Sequence, residues 1–453
     1  MVDCKLFDQR SQGQPHLKVY PRKQHCISRK NISPNALKVM ARLREAGYQG
    51  YLVGGAVRDL LLGGHPKDFD VATDATPEQV HALFRNSRLI GRRFRIVHVT
   101  FGREVIEVTT FRGHHDSDPD GDDATPDSHR SRQSDKGLLL RDNVYGTLEE
   151  DAVRRDLTVN ALYYDAASFT VYDHVHGMRD LRKQSVCIIG DPEQRYREDP
   201  VRMLRVARFA AKLDFGIDRG TARAIPDCAH LLGEIPPARL FDEFLKLFMS
   251  GYAERTMDKL LELDLLRYLF PESDHAMRRN PQAMALVRAA MHSTDQRIQS
   301  GKPVTPAFLL AALLWPVVQE LWQQLQTRGE PPAAALHSAG QQVIQATLRQ
   351  ISIPRRFSLP MREIWEFQPR LQRQRKPQEM IQNRRFRAAY DFLLLREAAG
   401  EDAGGSGAWW TEQQELPEHQ NLPIIHGTDE DERADRGRRR RRPPRKRRPA
   451  QNA

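Results

Sequence analysis

Residues Tyr51–Asp74 read YLVGGAVRDLLLGGHPKDFDVATD. A short apolar strand runs into the pair Gly54-Gly55, a short helix pattern follows over Ala56–Leu62, and a second strand delivers Asp68 and Asp70 two positions apart. Residues two apart on a strand point to the same side of a sheet. Two carboxylates on one side suit a hard, oxygen-seeking cation such as Mg²⁺. Glycines let the backbone come close to a ligand, and a helix start presents unpaired N–H groups to phosphate. Each half has an ordinary reading, a tight turn for Gly54-Gly55 and a solvated edge for Asp68 and Asp70. Set 13 residues apart in this order, they make the pair that nucleotidyl transfer from a triphosphate requires, a phosphate cradle and metal-binding carboxylates.

Working outward, Ser33-Pro34 starts a helix, with serine as cap and proline at the first position, and Gly47 ends it. Gly50–Val53 is a strand, and Thr76–Arg85 is a helix capped by Thr76. Arg93–Phe101 and Arg103–Phe111 alternate as two paired strands about Phe101-Gly102-Arg103. The mixture predicts a small sheet flanked by helices. Gly113–Gly137 is polar and without apolar period, and is expected to be a mobile loop. Its His114 and His115, with nearby aspartates, are a solvated cluster first and a metal site only as the alternative.

From Glu193 to about Glu397 the pattern is helical. Glu198–Leu213 is expected to be one amphipathic helix, with Met203, Val206, Ala207, Ala210 and Leu213 on its apolar face. Further helices are expected at Ala238–Ser250, Arg255–Leu263, Thr305–Gln324, Gln341–Ile351, Met361–Arg370 and Asn383–Ala399. Residues 1–32 form an extension with little period, and 401–407 a linker. Trp409-Trp410 follow, expected to dock on the body, with the rest of the tail disordered.

The 453 residues suffice for two or three domains. The longest apolar run, Ala307–Val318, is too short for a membrane span, and MVDCKLFDQRSQ lacks a signal-like apolar core. Cys4, Cys26, Cys187 and Cys228 are scattered, which favours reduced thiols in a cytoplasmic setting over a zinc ribbon. Of the net charge of +11, residues 433–453 carry +10, from eleven Arg or Lys against one Asp. The cluster Arg438, Arg439, Arg440, Arg441, Arg442, Arg445, Lys446, Arg447 and Arg448 attracts polyanions such as RNA. A solubilising tail, a localisation signal and a protein-binding tail are its other readings.

Three further motifs carry chemistry. Arg154-Arg155-Asp156-Leu157-Thr158-Val159-Asn160 pairs arginines fit for bidentate phosphate contacts. It also sets Asp156 and Asn160 four apart, neighbours if the stretch is helical. Arg58, on the first turn after Gly54-Gly55, reaches either a phosphate or the carboxylates Asp68 and Asp70. Glu198-Asp199-Pro200-Val201-Arg202, followed by Arg205 and Arg208, sets Asp199 and Arg202 three apart. On one helix face, Asp199 would accept from the adenine amino group while Arg202 donates to the ring nitrogen. Guanine and uracil would leave both unpaired, whereas cytosine offers the adenine pattern.

With G-G-x-V-R-D, D-x-D, R-R-D-x-x-x-N and E-D-x-x-R in this order, the chain resembles the polymerase-β-like nucleotidyltransferases. Within them it resembles the class II group of CCA-adding enzymes and bacterial poly(A) polymerases, over roughly Ile27 to Trp410. The resemblance implies an α/β (α+β) nucleotidyltransferase head at 33–190, a helical neck at 191–270, a helical body at 271–400, and a basic tail within 401–453. It implies that Asp68, Asp70 and Asp156 are catalytic, with Asp68 and Asp70 binding Mg²⁺ (Mn²⁺ as the alternative). Gly54, Gly55, Arg58, Arg154, Arg155, Asn160, Asp199, Arg202 and Arg205 would bind the nucleotide. Glu107 competes with Asp156 as third carboxylate, and the resemblance ranks Asp156 first. Leu89–Val99, LIGRRFRIVHV, and the Arg-rich tail resemble poly(A) polymerases more than CCA-adding enzymes. ATP would then be the substrate, RNA 3′ ends the acceptor, and RNA decay the consequence, with RNA-decay proteins as candidate partners of the tail. A CCA-adding enzyme and an inert RNA-binding protein are the alternatives.

Overall fold

The computed structural model describes residues 17–91, 95–113, 132–133, 139–141, 145–420 and 422–424. The chain divides into two units, 1–269 and 270–453.

The first unit is built on strands β1 (Lys18–Tyr20), β2 (Tyr51–Val53), β3 (Asp70–Thr73), β4 (Ser87–Ile90), β5 (Ile96–Phe101) and β6 (Glu104–Thr110). To these it adds β7 (Arg132–Gln133), β8 (Leu139–Arg141), β9 (Leu162–Asp165) and β10 (Thr170–Asp173). Eight of them form one sheet in the order β1-β10-β9-β2-β3-β6-β5-β4, and β7 pairs with β8 alone. Every neighbour in the sheet is antiparallel except β3 and β6, which run parallel. That parallel pair sets Asp70 directly opposite Glu107. The expected β5–β6 hairpin about Phe101-Gly102-Arg103 forms, with Phe101 opposite Glu104.

Helix α1 (Pro34–Glu45) starts as its sequence dictates. The Ser33 hydroxyl accepts from the N–H groups of Asn35 and Ala36, with proline at the first position. Ala36, Val39, Met40 and Leu43 are buried, and α1 packs on the sheet at β2, β3 and β6. Helix α2 (Gly55–Leu61) follows β2, and α3 (Pro77–Leu83) opens with a capping box between Thr76 and Gln79. Residues 1–32 were expected to lie outside the head pattern, yet β1 is the sheet's last strand and Ile27 and Ile32 are buried. A three-residue strand is too short to show a period.

Helices α4 (Leu148–Arg154), α5 (Gly177–Arg182), α6 (Pro192–Glu198) and α7 (Val201–Leu213) complete the part that carries the chemistry. The single helix expected from Glu198 to Leu213 is broken. Asp199 is extended (φ −149°, ψ 95°) between α6 and α7, because a residue before proline is disfavoured in the helical region. Met203, Val206, Ala207 and Ala210 are buried as expected, and Leu213 half-buried.

The second unit is all helical among its described residues. Its helices are Pro271–Arg279, Pro281–Gln299, Pro306–Thr327, Pro332–Thr347, Arg355–Gln372, Pro377–Ile381, Phe386–Ala398 and Ser406–Glu415. Trp410 docks as expected: it is fully buried and its indole N–H donates to the Leu371 carbonyl at 2.8 Å. The helix around it corrects the expectation of a linker running into a disordered tail. The Gly-rich lead-in, 404–407, hides it, and a ten-residue helix anchored by one tryptophan has little amphipathic signature. No helix among the described residues is long and apolar enough to cross a membrane. The loop segment 114–131 and the basic cluster Arg438–Arg448 lie outside the described residues.

Candidate active site

Gly54 takes φ 73°, ψ −135° between β2 and α2, a backbone conformation that glycine adopts without strain. A β-carbon built on it would lie 3.7 Å from Arg155 Nη1 and 4.0 Å from Asp70 Oδ2. The glycine turn, the second aspartate and an arginine from a segment 100 residues on therefore meet at one point. Arg155 is held there by a bond from Nη2 to Asp151 Oδ2 at 3.1 Å and one from Nε to the Tyr163 hydroxyl at 2.9 Å. Burial works against its charge, but the adjacent Tyr163 and Asp151 outweigh that and raise its pKa.

Asp70 is the electrostatic centre. Burial first, then the facing Glu107 and, to a smaller degree, Asp68 push its pKa up to about 6, against the pull of Arg155. Glu107 also lies 3.6 Å from His98 Nε2 on β5. Asp68 does not share the strand with Asp70 as expected. Strand β3 starts at Asp70, and Asp68 is exposed on the lead-in. Among the described residues no three His, Cys, Asp or Glu side chains form a finished metal cage. Two facing carboxylates with a third nearby nevertheless fit Mg²⁺, which is usually held by one or two carboxylates plus substrate phosphates. The donors are all oxygen, and like charges this close are relieved by a cation.

Asp156 is engaged elsewhere. Its carboxylate accepts from Arg205 Nε and from the Leu157 N–H. Burial would raise its pKa, but Arg205 and that N–H bring it down to about 2. The charges acting on Asp70 are Glu107, Arg155 and Asp68. The geometry thus sets Glu107, ranked second from sequence, beside Asp70. Nor are Asp156 and Asn160 neighbours on a helix: α4 ends at Arg154, and Asn160 closes a separate turn, Thr158–Asn160. Asn160 accepts from the Arg58 guanidinium. Arg58 is itself 1% exposed, paired with Asp59 and stacked over Phe209. It lies under Gly55, and its ion pair is with Asp59 rather than with Asp68 or Asp70.

The second half of the site is cationic. Arg154 Nη1 donates to the Gly113 carbonyl at 2.8 Å. Its pKa is down to about 10, from burial and then the charges of Arg112, Arg195 and Arg202. Arg195 is likewise lowered to about 10, by burial and Arg202. Arg202 donates to Glu198 and to the Arg195 carbonyl, each at 2.8 Å. Asp199 does not share a helix face with Arg202. It is bound by Arg239 Nη2 at 2.7 Å, from the helix Pro237–Phe248. Arg195 is the residue that sequence reasoning missed. Its Nη2 donates to the carbonyls of Arg154 and Arg155 at 2.6 and 2.7 Å and its Nη1 to Glu198 at 2.9 Å. Its only sequence signal is a position three before Glu198, which reads as a surface ion pair.

Three family models match in chain order. The poly A polymerase head domain covers 50–187, the probable RNA and SrmB-binding site of polymerase A covers 214–277, and the polymerase A arginine-rich C-terminus covers 328–447. The poly(A) polymerase I of Salmonella typhimurium is 46% identical over 432 residues, 92% of this chain and 90% of that protein. That of Escherichia coli O6:H1 is 48% identical over 409 residues, 89% and 87% of the two chains.

The chain belongs to the bacterial poly(A) polymerase family.

This polymerase is a polynucleotide adenylyltransferase. CCA-adding enzymes are more distant: that of Bacillus pumilus is 36% identical over 235 residues, 52% of this chain and 54% of that protein. The superfamily fold is shared. The Bacillus stearothermophilus CCA-adding enzyme, solved in complex with CTP, superimposes with a TM-score of 0.55 at 26% identity over 84% of this chain and 83% of that one.

Proposed function

We propose that the polymerase adds AMP from ATP, without a template, to the 3′-hydroxyl of RNA. The RNA oxygen bonds to the α-phosphorus, the bond to the bridging oxygen of the β-phosphate breaks, and pyrophosphate leaves. One observation carries the assignment of residues: Asp70 faces Glu107 across the parallel β3–β6 pair, beside the Gly54 turn and Arg155. Asp70 and Glu107, with Asp68, would hold Mg²⁺ or Mn²⁺. Bound there, the ion would supply neutralisation of phosphate charge and a more acidic 3′-hydroxyl. The space that Gly54 leaves beside Arg155 Nη1 admits a phosphate oxygen. Arg154 and Arg202, whose charges oppose each other's and those of Arg112 and Arg195, offer a polyphosphate a field that it relieves. Asp156 holds Arg205, and Arg58 with Asn160 holds α2 in place; these are positioning roles.

Adenine would be read by Asp199 and Arg202. Asp199 Oδ2 is bound to Arg239, so this reading requires Asp199 to share or exchange that partner when the base arrives. The tail Arg438–Arg448 is assigned to RNA, with RNA-decay proteins as alternative partners. The cytoplasm is the compartment in which tailing would promote RNA decay.

The test is incorporation with Mg²⁺ and each labelled NTP separately, on a generic RNA and on a tRNA lacking CCA. Long A tails on generic RNA are expected. Limited C and A addition confined to the tRNA would overturn the reading. For the residues, Glu107→Gln should abolish incorporation; an active Glu107→Gln beside a dead Asp156→Asn would restore Asp156 as the third carboxylate.

A further inference from the structure

From Leu17 to Arg44 the chain carries eight Lys or Arg and no Asp or Glu, in a protein whose first 432 residues are together close to neutral. Most cations in the site are matched by acids, as Arg195 and Arg202 are by Glu198 and Arg205 by Asp156. In the amino-terminal segment Arg42 and Arg44 pair with Glu45 and Asp165, but the cations from Lys18 to Lys30 are not matched. Lys18, Arg22, Lys23, Arg29 and Lys30 are exposed, as is Arg182 from α5 beside them. None of the six forms an ion pair among the described residues. Aromatic rings hold the arginines in place. Arg22 and Arg29 lie 5.9 and 5.3 Å from the centre of the Phe169 ring, and Arg182 lies 5.8 Å from that of Tyr20. Phe169 takes φ 56° in the β9–β10 turn, costly for a bulky side chain, and its carbonyl bonds His25 Nε2 at 2.9 Å. The segment is thus fixed to the sheet edge, and its charge is an ordered surface.

The position of that surface follows from register. Asp70 pairs with Val53, Val53 with Tyr163, Tyr163 with Tyr172, and Tyr172 with Val19. These five residues form one row across the sheet, four inter-strand steps long, or about 19 Å at the usual strand spacing. We propose that this basic edge, Lys18, Arg22, Lys23, Arg29, Lys30 and Arg182, binds the phosphate backbone of single-stranded RNA upstream of the 3′ end held at Asp70. Ordered guanidiniums backed by aromatic rings, with no acid paired to them among the described residues, complement a phosphodiester chain. The inference rests on the polymerase reading above. An acidic protein strand pairing with the edge of β1 that has no strand partner among the described residues is the competing occupant.

The experiment uses the full-length protein and the combined variant Lys18→Gln, Lys23→Gln, Lys30→Gln. These side chains are exposed and stack on no ring among the described residues, so the fold is expected to be retained. Binding of A₃ and A₂₀ oligonucleotides is measured against salt. A₃ carries only two phosphodiester linkages and is too short to sit at Asp70 and also cover several cations at β1, whereas A₂₀ is long enough to do both. If each lysine neutralises one phosphate, the slope of log K against log salt for A₂₀ falls by about 2, at about 0.7 per contact. That is on the order of a 100-fold loss at 0.1 M salt relative to 1 M. Binding of A₃ and single AMP addition to saturating A₃ should be unchanged. An unchanged A₂₀ slope overturns the proposal, as does an equal loss on A₃ and A₂₀. Failure of the polymerase reading would show separately, as no AMP addition to A₃ by the unaltered protein.

Discussion

Replacing Asp70 with asparagine should abolish AMP addition and, at the same time, stabilise the metal-free protein. The rise of its pKa from 3.8 to about 6 is caused by burial and by Glu107 and Asp68. It corresponds to about 3 kcal/mol, at 1.36 kcal/mol per tenfold change in proton affinity. The sign follows from linkage: between those two pH values the folded state binds more protons than the unfolded one, so stability falls as pH rises through the window. Above pH 7 the full penalty is present, and below pH 3.5 it is absent. Asp70→Asn removes the ionisation, so the variant should exceed the parent by up to about 3 kcal/mol at pH 8 and by nothing at pH 3.5. Tryptophan fluorescence cannot report this, because Trp315, Trp322, Trp365, Trp409 and Trp410 all lie beyond the first unit. Hydrogen exchange of the β3 and β6 amides across a urea series reads the head directly. Millimolar Mg²⁺ should stabilise the parent at pH 8 and leave the variant unmoved. Equal stability of parent and variant at pH 8, or the same difference at pH 3.5 and pH 8, would refute the placement of Asp70 among like charges.

Asp156→Asn should act in the opposite direction, costing about 2.5 kcal/mol above pH 4 by the same conversion; because its folded pKa is depressed to about 2, that contribution is lost as pH falls through 2, and a urea series at pH 2 and pH 7 reads both ends. Arg58→Met leaves Asp59 and Asn160 without their buried partner, and should cost about 3 kcal/mol of head stability while barely changing KM for ATP; a KM rise without destabilisation would return Arg58 to the phosphate. Asp199→Ala and Arg202→Ala should each narrow the preference for ATP over GTP in competition more than they weaken triphosphate binding, and an unchanged preference in both would make the pair structural. Truncation after Glu432 removes a charge balance of +10 and should flatten the salt dependence of long-RNA binding, at about 0.7 per lost contact, while single AMP addition to a saturating primer persists.

The sequence displayed local features and hid those made by pairing distant segments. The Ser33 and Thr76 caps, the β5–β6 hairpin and the buried face of α7 each follow from residues within a turn or two. Asp70 with Glu107 does not. The two belong to strands 37 positions apart, and only the parallel register of β3 on β6 brings them face to face. The motif Arg154–Asn160 reads as one helical patch, yet the structure sends its members apart: Arg155 to Gly54 and Asp70, Asp156 to Arg205, and Asn160 to Arg58. Pro200 was visible throughout, and its effect on Asp199 was the one local signal left unused. It turns an apparent helix face into a joint between two helices.

That joint bears on how base choice and chemistry are linked. Asp70 and Glu107 sit on the sheet, whereas Arg202 and Arg205 sit on α7 and Asp199 on the bend between α6 and α7. Contacts from α6 and α7 to the segment Arg154–Asp156 include Arg195 to the carbonyls of Arg154 and Arg155, and Arg205 to Asp156. Arg155 in turn reaches the space beside Gly54 and Asp70. If Asp199 and Arg202 read the base as proposed, a fitting base would be coupled to the phosphate end through Arg195 and the backbone that it holds, because Arg202 donates to the Arg195 carbonyl and shares Glu198 with it. On this argument Arg195 would be where selectivity and turnover meet, although it contacts neither Asp70 nor Glu107 and its only carboxylate partner among the described residues is Glu198.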